Sequence, residues 1–523
     1  MTAVDLLIKH GCIIDGTGNP RYRGDVAIKD GVIVEIGGLS DEIAKRVIDA
    51  EELVVCPGFI DVHTHSDLVL LADPINEAKL RQGVTTEILG QDGLSYAPLS
   101  AGSLEFMRHY LSGLNGNPKV ELQGESVKQF LEQFRASANV AYLVPHGALR
   151  LEAMGMDDRP PTKPELAIMQ QTCAKALSDG AVGLSTALAY APCTYASTQE
   201  LISLNEVVAQ YNGCFVVHLR NIGDNCLDPI REIIEIGRES GVACHISHLK
   251  PRKGHFGRAE AMVQLIHDAN EAGIDLTFDA YPYGQSGGFL LSLLPAWVFS
   301  MGFPDLIQFL SLGTTRDRIR QEFLNRNPAW QETIIAGVGD GPHAAVGKSI
   351  AEYAASLGLH PVDAVCNLLV EHDLAVATRG NDGPPEVDLE TIMKSPVGMI
   401  SSDGLMVGSS PHPRGFGTYG RILGRYVRER KVMSLEEAIY KMTAFPAKRF
   451  ALADRGQLRV GMAADIAIFD PESIIDRATM DDGRRYTMGV DFVIINGQVV
   501  LDQQGPTGSL PGSRLKAGVA VFK

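Results

Sequence analysis

At 523 residues the chain is too long for one simple core, so two or three domains are expected. A hydrophobic fraction of 45% with 21% charged residues is that of a soluble globular protein, and no run approaches the ~18 apolar residues of a membrane helix. The net charge of -16 argues against a phosphate-backbone partner, so neither nucleic acid nor membrane is expected as a partner.

The amino terminus carries no basic stretch followed by a long apolar core, so no secretory signal is read there. Eight scattered cysteines without a Cys-x-x-Cys pair read as buried thiols in a reducing compartment, and a cytoplasmic protein is expected. The chain then opens on short strands and turns. Residues 5–9 are apolar-rich, residues 15–20 (Asp-Gly-Thr-Gly-Asn-Pro) form a turn cluster, and residues 24–36 alternate about Asp30-Gly31.

From Pro57 the pattern changes. An apolar run, Pro57-Gly58-Phe59-Ile60-Asp61-Val62, leads into His63-Thr64-His65-Ser66-Asp67. Histidines at i and i+2 of an extended segment face the same way, and two imidazoles at the end of a buried strand can chelate a divalent metal. Onward to about residue 452, apolar strands alternate with amphipathic helices. Residues 214–218 read as a strand, 229–240 as a helix, 242–248 as a strand, 259–272 as a helix and 275–281 as a strand. Repeated βα units favour a parallel sheet, open or closed as a barrel, with its chemistry at the carboxyl ends of the strands. Residues 285–346 break the rhythm and read as an insertion. It either covers the site as a lid, with Phe289, Leu290, Leu291, Leu294 and Trp297 shaping an apolar pocket, or packs on the barrel rim.

The strand ends carry the candidate chemistry. Asp92 follows residues 84–91, His218 ends one strand, His248 another, and Asp403 a late one. With His63 and His65 they make four imidazoles and two carboxylates, enough for one or two zinc-type ions. His245, three residues before His248, is expected to face the other way and to be structural. His146 reads equally as a substrate residue or a satisfied core histidine. Gly347-Lys348-Ser349 lacks the glycine spacing of a phosphate loop and reads as a helix start. The carboxyl end is β-rich again, with a strand at residues 464–471 and a hairpin about Asn496-Gly497. Residues 1–56 and 456–523 are therefore expected to form one small β domain, and residues 57–455 the catalytic one.

Taken in order, these segments resemble the metal-dependent amidohydrolases, and within them the N-acyl-D-amino-acid deacylases (D-aminoacylases). The match includes residues 57–67, Gly183-Leu184-Ser185-Thr186, His218-Leu219-Arg220, Ile246-Ser247-His248, Asp279-Ala280-Tyr281-Pro282-Tyr283, Ser402-Asp403-Gly404, His412-Pro413-Arg414 and the closing residues 461–465. The resemblance implies an α/β fold, a distorted (β/α)8 TIM barrel with a small β-sandwich formed by both termini. It implies hydrolysis of the amide bond of N-acyl-D-amino acids by water activated on one or two Zn2+ ions, with Mn or Co accommodated as well. His63, His65 and Asp403 would bind one metal position, and His218 and His248 the other. Asp403 would act as general base and then general acid. Lys250, Tyr281 and Tyr190 would hold the substrate's carboxylate or carbonyl. Arg220 is a second carboxylate candidate, with a buried salt bridge as the alternative.

One position departs from the family pattern. Asp92, in Gly90-Gln91-Asp92-Gly93, stands where the family's D-aminoacylases carry a metal-binding cysteine. A carboxylate is harder than a thiolate, can bridge two ions and tolerates Mn or Co. The departure leaves another amide, a carbamate, a cyclic amide or an ester open as substrate. Any of these is a small molecule, and a homo-oligomer is equally compatible.

Overall fold

The computed structural model describes residues 4–39, 43–220, 225–301, 305–326, 328–339, 341–381 and 383–518. Eight short apolar runs form one all-parallel sheet. In chain order they are β1 (Phe59–Asp61), β2 (Val84–Leu89), β3 (Asn139–Pro145), β4 (Gly183–Ala187), β5 (Cys214–His218), β6 (Ala243–Ile246), β7 (Leu276–Ala280) and β8 (Gly398–Ile400). Each pairs with its sequence neighbour, as right-handed βαβ units require. Gly183 illustrates how close the strands come: a Cβ there would lie 2.0 Å from the Cys214 carbonyl oxygen.

Alternate residues divide between two cores. Ile60, Ile88, Ala141, Leu143, Val216 and Met399 share the interior, together with Phe450, Leu452 and Leu515. Phe59, Val84, Tyr142, Leu184, Phe215 and Phe278 pack in the larger core that the helices complete. The helix Asp228–Ser240 shows why these sequences fold this way. Pro229 suits the first turn, Ile230, Ile233 and Ile236 are fully buried, and Gly241 stops the helix in the left-handed region at φ 71°. Burial of each isoleucine contributes about 1.5–3 kcal/mol.

β8 and β1 share no ladder. The barrel closes just beyond their ends, where Thr64 and Gly404 form a parallel bridge. There Asp403 N donates to the His63 carbonyl (2.8 Å) and His65 N to the Gly404 carbonyl (3.1 Å). Beneath this seam lies a buried charge cluster. Asp61 accepts from Ser402 N (2.9 Å) and Ser402 Oγ (2.5 Å), and Lys79 Nζ bonds both Asp61 and Ser402 Oγ. Asp61, Lys79 and Glu87 are all inaccessible to solvent.

Strands from both termini make the second unit. Nine of them hydrogen-bond as one mixed sheet, in which Val54–Pro57 joins the amino-terminal strands to Ile466–Phe469. Leu6, Ile8, Val26, Ile28, Ile33, Ile466 and Ile494 share its core. The carboxyl-terminal stretch then leaves this sheet. Val140 of β3 pairs with Ser513 and Leu515, so part of residues 456–523 closes the barrel's floor. Residues 1–3 and 519–523, at the outer ends of the two terminal segments, lie outside the described residues.

The insertion is longer than its sequence pattern indicates. Gly287–Phe289, Val376–Gly380 and Thr333–Val338 form a three-stranded antiparallel sheet in that order, so the excursion runs from β7 to Gly380 rather than to residue 346. The intervening helices Ile350–Leu357 and Pro361–Glu371 belong to this subdomain. Ser349 caps the first with a capping box to Glu352, the helix start expected there.

Removing Lys79 would strand two buried carboxylates. Lys79→Met is expected to destabilise the fold by about 3–5 kcal/mol, read as a lowered denaturation midpoint; an unchanged midpoint would show the cluster to be dispensable.

Candidate metal centre

The closure seam delivers three of the six candidate ligands. His63 and His65 follow β1, and Asp403 follows β8, so the main-chain bonds that shut the barrel also set these side chains together. His65 Nε2 lies 3.4 Å from Asp403 Oδ1, and His63 Nε2 lies 3.7 Å from it. Asp92 Oδ1 is 3.7 Å from His63 Nε2, and its Oδ2 is 3.8 Å from His65 Nε2 and 3.7 Å from His218 Nδ1. The His248 ring lies 5.0 Å from that of His63 and 4.5 Å from that of His218. Ligand atoms of His63, His65 and Asp403 cluster within 4.8 Å of one another, as do those of His63, Asp92 and His248.

These spacings exceed a hydrogen bond but suit two donors about 2.0–2.2 Å from a shared ion. His63 Nδ1 and Nε2, Asp92 Oδ1 and His218 Nδ1 are buried without a hydrogen-bond partner. Natural cores rarely leave such atoms orphaned, and a divalent cation would satisfy them. The donor set of imidazole nitrogen and carboxylate oxygen therefore fits the metal that the sequence implies.

The electrostatics agree. Burial, reinforced by the neighbouring His218, pushes His248 down to about 3, and burial also lowers His218. Burial opposes ionisation of Asp403, but Arg414 and then His65 outweigh it and hold the carboxyl well below its usual range. Asp92 is likewise lowered against burial, by His218 and His63. For His63, burial is outweighed by Asp403, Asp92 and Asp279, which raise it.

Three of the candidate ligands occupy strained backbone. Asp92 (φ 59°), His248 (φ 36°) and Asp403 (φ 46°) all have positive φ. The Asp92 turn is clamped on several sides. Gly93 N donates to Ser185 Oγ (2.9 Å), whose hydroxyl donates to the Gly90 carbonyl, and Gly90 N donates to Asp67 Oδ1 (3.1 Å). Gly90 sits at φ 76°, and a Cβ there would lie 2.2 Å from the Leu143 carbonyl oxygen. Asp67 thus holds the turn that carries Asp92.

Asp279 is a buried carboxylate that the sequence patterns did not single out for a role. Its Oδ1 accepts from His248 N (3.0 Å) and Ser401 Oγ, and its Oδ2 accepts from His245 (2.9 Å) and lies 3.9 Å from His63 Nδ1. It orients two candidate ligands at once. A charge inside the apolar run of β7 is the signal that could have found it. His245 does not face away from the site, because positive φ at His248 turns that side chain back to the same side. His245 lies beneath, bonded to Thr277 Oγ1 (2.8 Å) and Asp279. His146 is a satisfied core residue, bonded to Thr186 Oγ1 and Glu200 Oε1 at 2.9 Å each.

A cavity of about 530 Å3 opens onto His65, Asp92, His218, His248 and Asp403. Lys250, Tyr281 and Tyr190 line it, and Lys250 Nζ donates to Tyr281 Oη (2.7 Å). Burial raises both phenols, which stay protonated donors. Arg220 is committed elsewhere. It forks onto Glu232 (2.9 and 3.0 Å) and donates to the Thr194 and Ala196 carbonyls, outside the cavity lining. The insertion contributes Ser286, Gly287, Thr378 and Arg379 to the wall. The apolar residues expected to shape a pocket do not line it: Phe289, Leu290, Leu291 and Leu294 are buried in the main core, with Phe289 against Tyr110 and Tyr190, and Leu293 and Ala329 of the insertion reach the cavity wall instead. Arg414, also unassigned from sequence, lines the cavity and pairs with Asp403 at 2.8 Å.

Comparison with known proteins places the chain in a family. The Amidohydrolase family model matches residues 46–281 and 323–501. An N-acyl-D-glutamate deacylase of Alcaligenes xylosoxydans xylosoxydans is 35% identical over 99% of this chain and 98% of its own length. A crystal structure of N-acyl-D-glutamate deacylase from Bordetella bronchiseptica, complexed with zinc and a phosphonate mimic of the tetrahedral intermediate, superposes with a TM-score of 0.83. It is 33% identical, covering 99% of this chain and 100% of that one. A D-aminoacylase structure concerned with a binuclear metal centre, activated by one metal and attenuated by the second, also gives 0.83, at 31% identity and coverage of 98% and 100%. The chain belongs to the amidohydrolase family and is a hydrolase acting on carbon–nitrogen bonds.

Proposed function

We propose that the chain hydrolyses the amide bond of N-acyl-D-amino acids, releasing a carboxylate and the free D-amino acid, with zinc as its metal. The observation that carries this reading is the convergence of His63, His65, Asp92, His218, His248 and Asp403 around orphaned donor atoms at the floor of a cavity that also holds Lys250, Tyr281 and Tyr190. The near full-length similarity to N-acyl-D-amino-acid deacylases supports the substrate class. An ion bound there supplies a Lewis acid for the scissile carbonyl and activates water at neutral pH.

The chain's own residues do the rest. Asp403, whose Oδ1 faces His63 and His65, takes the proton of the attacking water and returns it to the leaving nitrogen. Lys250, buttressed by the Tyr281 hydroxyl and the Gly284 carbonyl (3.0 Å), binds the substrate carboxylate, and Tyr190 donates to the acyl end. The insertion strands wall the cavity and exclude water, as a lid does. Asp92 supplies an oxygen donor where relatives of the D-aminoacylase type use sulfur, so manganese or cobalt would also serve. No described helix is long and apolar enough to cross a membrane, and all eight cysteines are unpaired, which fits the proposed cytoplasmic location.

Asp403→Asn is expected to lower kcat by about 10²–10⁴-fold while zinc content stays at the wild-type level; kcat within a few-fold of wild type would remove Asp403 from the mechanism. Chelation should abolish turnover, and added zinc should restore it in step with metal content. Activity that survives in demonstrably metal-free protein contradicts the reading. In a panel of paired N-acetyl-D- and N-acetyl-L-amino acids, turnover of the D forms is expected, and silence on every pair would redirect the search to cyclic amides and esters. Asp92→Cys should retain activity with zinc and lose it with manganese, since the thiolate is soft; equal activity with both metals would show that Asp92 does not set metal tolerance.

A further inference from the structure

Arg414 begins the helix Arg414–Arg421, is 1% exposed, and yet reaches the cavity. Its Nη1 lies 2.8 Å from Asp403 Oδ2. Its Nη2 donates to the Gly287 carbonyl (3.3 Å), and its Cζ stands 4.7 Å above the centre of the Tyr281 ring. Gly287 leaves little slack, because a Cβ there would lie 3.3 Å from the same Nη2. The guanidinium is therefore fixed by three partners: the Asp403 carboxylate, an aromatic face and a carbonyl of the insertion.

The two oxygens of Asp403 are divided by this arrangement. Oδ1 faces the imidazoles of His63 and His65, while Oδ2 is held by Arg414. A carboxylate on a single flexible torsion could otherwise rotate and offer both oxygens to the metal. We propose that Arg414 is the positioning residue for Asp403: it fixes the plane of the carboxylate, so that one oxygen serves the metal side and the other stays oriented toward the substrate's reacting atoms. The inference rests on the role given to Asp403 above. It makes Arg414 a part of the proton-transfer geometry, where misplacement by about 1 Å can cost ~10²-fold in rate.

The test is a double-mutant cycle in the zinc-loaded enzyme, using Arg414→Ala and Arg414→Lys in wild-type and Asp403→Asn backgrounds. In the wild-type background Arg414→Ala should lower kcat about 100-fold with KM changed less than about threefold and zinc stoichiometry unchanged. Guanidinium chloride at tens of millimolar should recover at least tenfold of the loss, and Arg414→Lys should retain part of the activity through one charged bond. In the Asp403→Asn background the same change should have almost no further effect, because the residue acts through Asp403. Calorimetric affinity of the slow Asp403→Asn enzyme for an N-acetyl-D-amino acid should be unaltered by Arg414→Ala.

Several outcomes overturn the proposal. A raised KM with intact kcat, or weakened calorimetric binding, would make Arg414 a substrate anchor. Lost zinc or lost fold without guanidinium rescue, in both the alanine and lysine variants, would make it structural. A full kcat effect persisting in the Asp403→Asn background would separate it from Asp403. Near-normal turnover by Asp403→Asn alone would instead overturn the role of Asp403 itself, whatever the Arg414 variants do.

Discussion

Closure of the barrel between the first and last strands is the constraint on which the site depends. The sheet does not close by a regular ladder: β1 and β8, each three residues long, pair only with β2 and β7. It closes instead through bonds between the segments that follow them, Asp403 N to His63 O and His65 N to Gly404 O. The residues making those bonds are the candidate ligands. Folding the barrel and assembling the first half of the metal site are thus one event. The Lys79–Asp61–Ser402 cluster below the seam satisfies the polar groups that this irregular closure buries.

Three of the candidate ligands are held under strain. Asp92, His248 and Asp403 sit at positive φ, a conformation that adds about 1–3 kcal/mol at each such residue. Hydrogen bonds over-determine each turn: Ser185 and Asp67 for Asp92, Asp279 for His248, the closing bonds for Asp403. The turns aim donors inward from three different strands, to spacings of 3.4–3.8 Å that regular strands would not provide. Beside these turns four buried donor atoms, on His63, Asp92 and His218, are left without partners. Orphaned donors on rigidly held backbone are the physical signature of a site organised before its ion arrives.

Around this rigid floor the chain places cationic and phenolic groups on other supports. Lys250 follows β6, Tyr281 follows β7, and Arg414 opens a helix beyond β8, yet the two cations converge on the Tyr281 ring. Lys250 Nζ and Arg414 Cζ lie 4.6 and 4.7 Å from the centre of Tyr281. The Gly287 carbonyl ties Arg414 to the insertion sheet, so the wall of the cavity and the proposed base share a connection. An acidic protein thereby presents basic groups at its cavity, which suits an anionic substrate.

What the sequence determined by itself was chemistry of short range. Apolar periodicity marked the βα units, the His-x-His spacing marked a shared face, and the ordered motifs marked the family. The β-rich ends announced the terminal sheet. Tertiary structure decided what depends on contacts between distant segments. Asp67 clamps a turn 23 residues away, and Arg220 is consumed by Glu232. His248 shares a side with His245 only because the chain takes a positive φ at His248. The insertion's helices belong to its own sheet, since Val376–Gly380 pairs with two strands from earlier in the chain. Asp279 and Arg414 carry no local pattern, because their importance comes from which buried atoms they reach. Local sequence encodes the direction of a side chain relative to its own element; only the closed barrel sets which side chains meet.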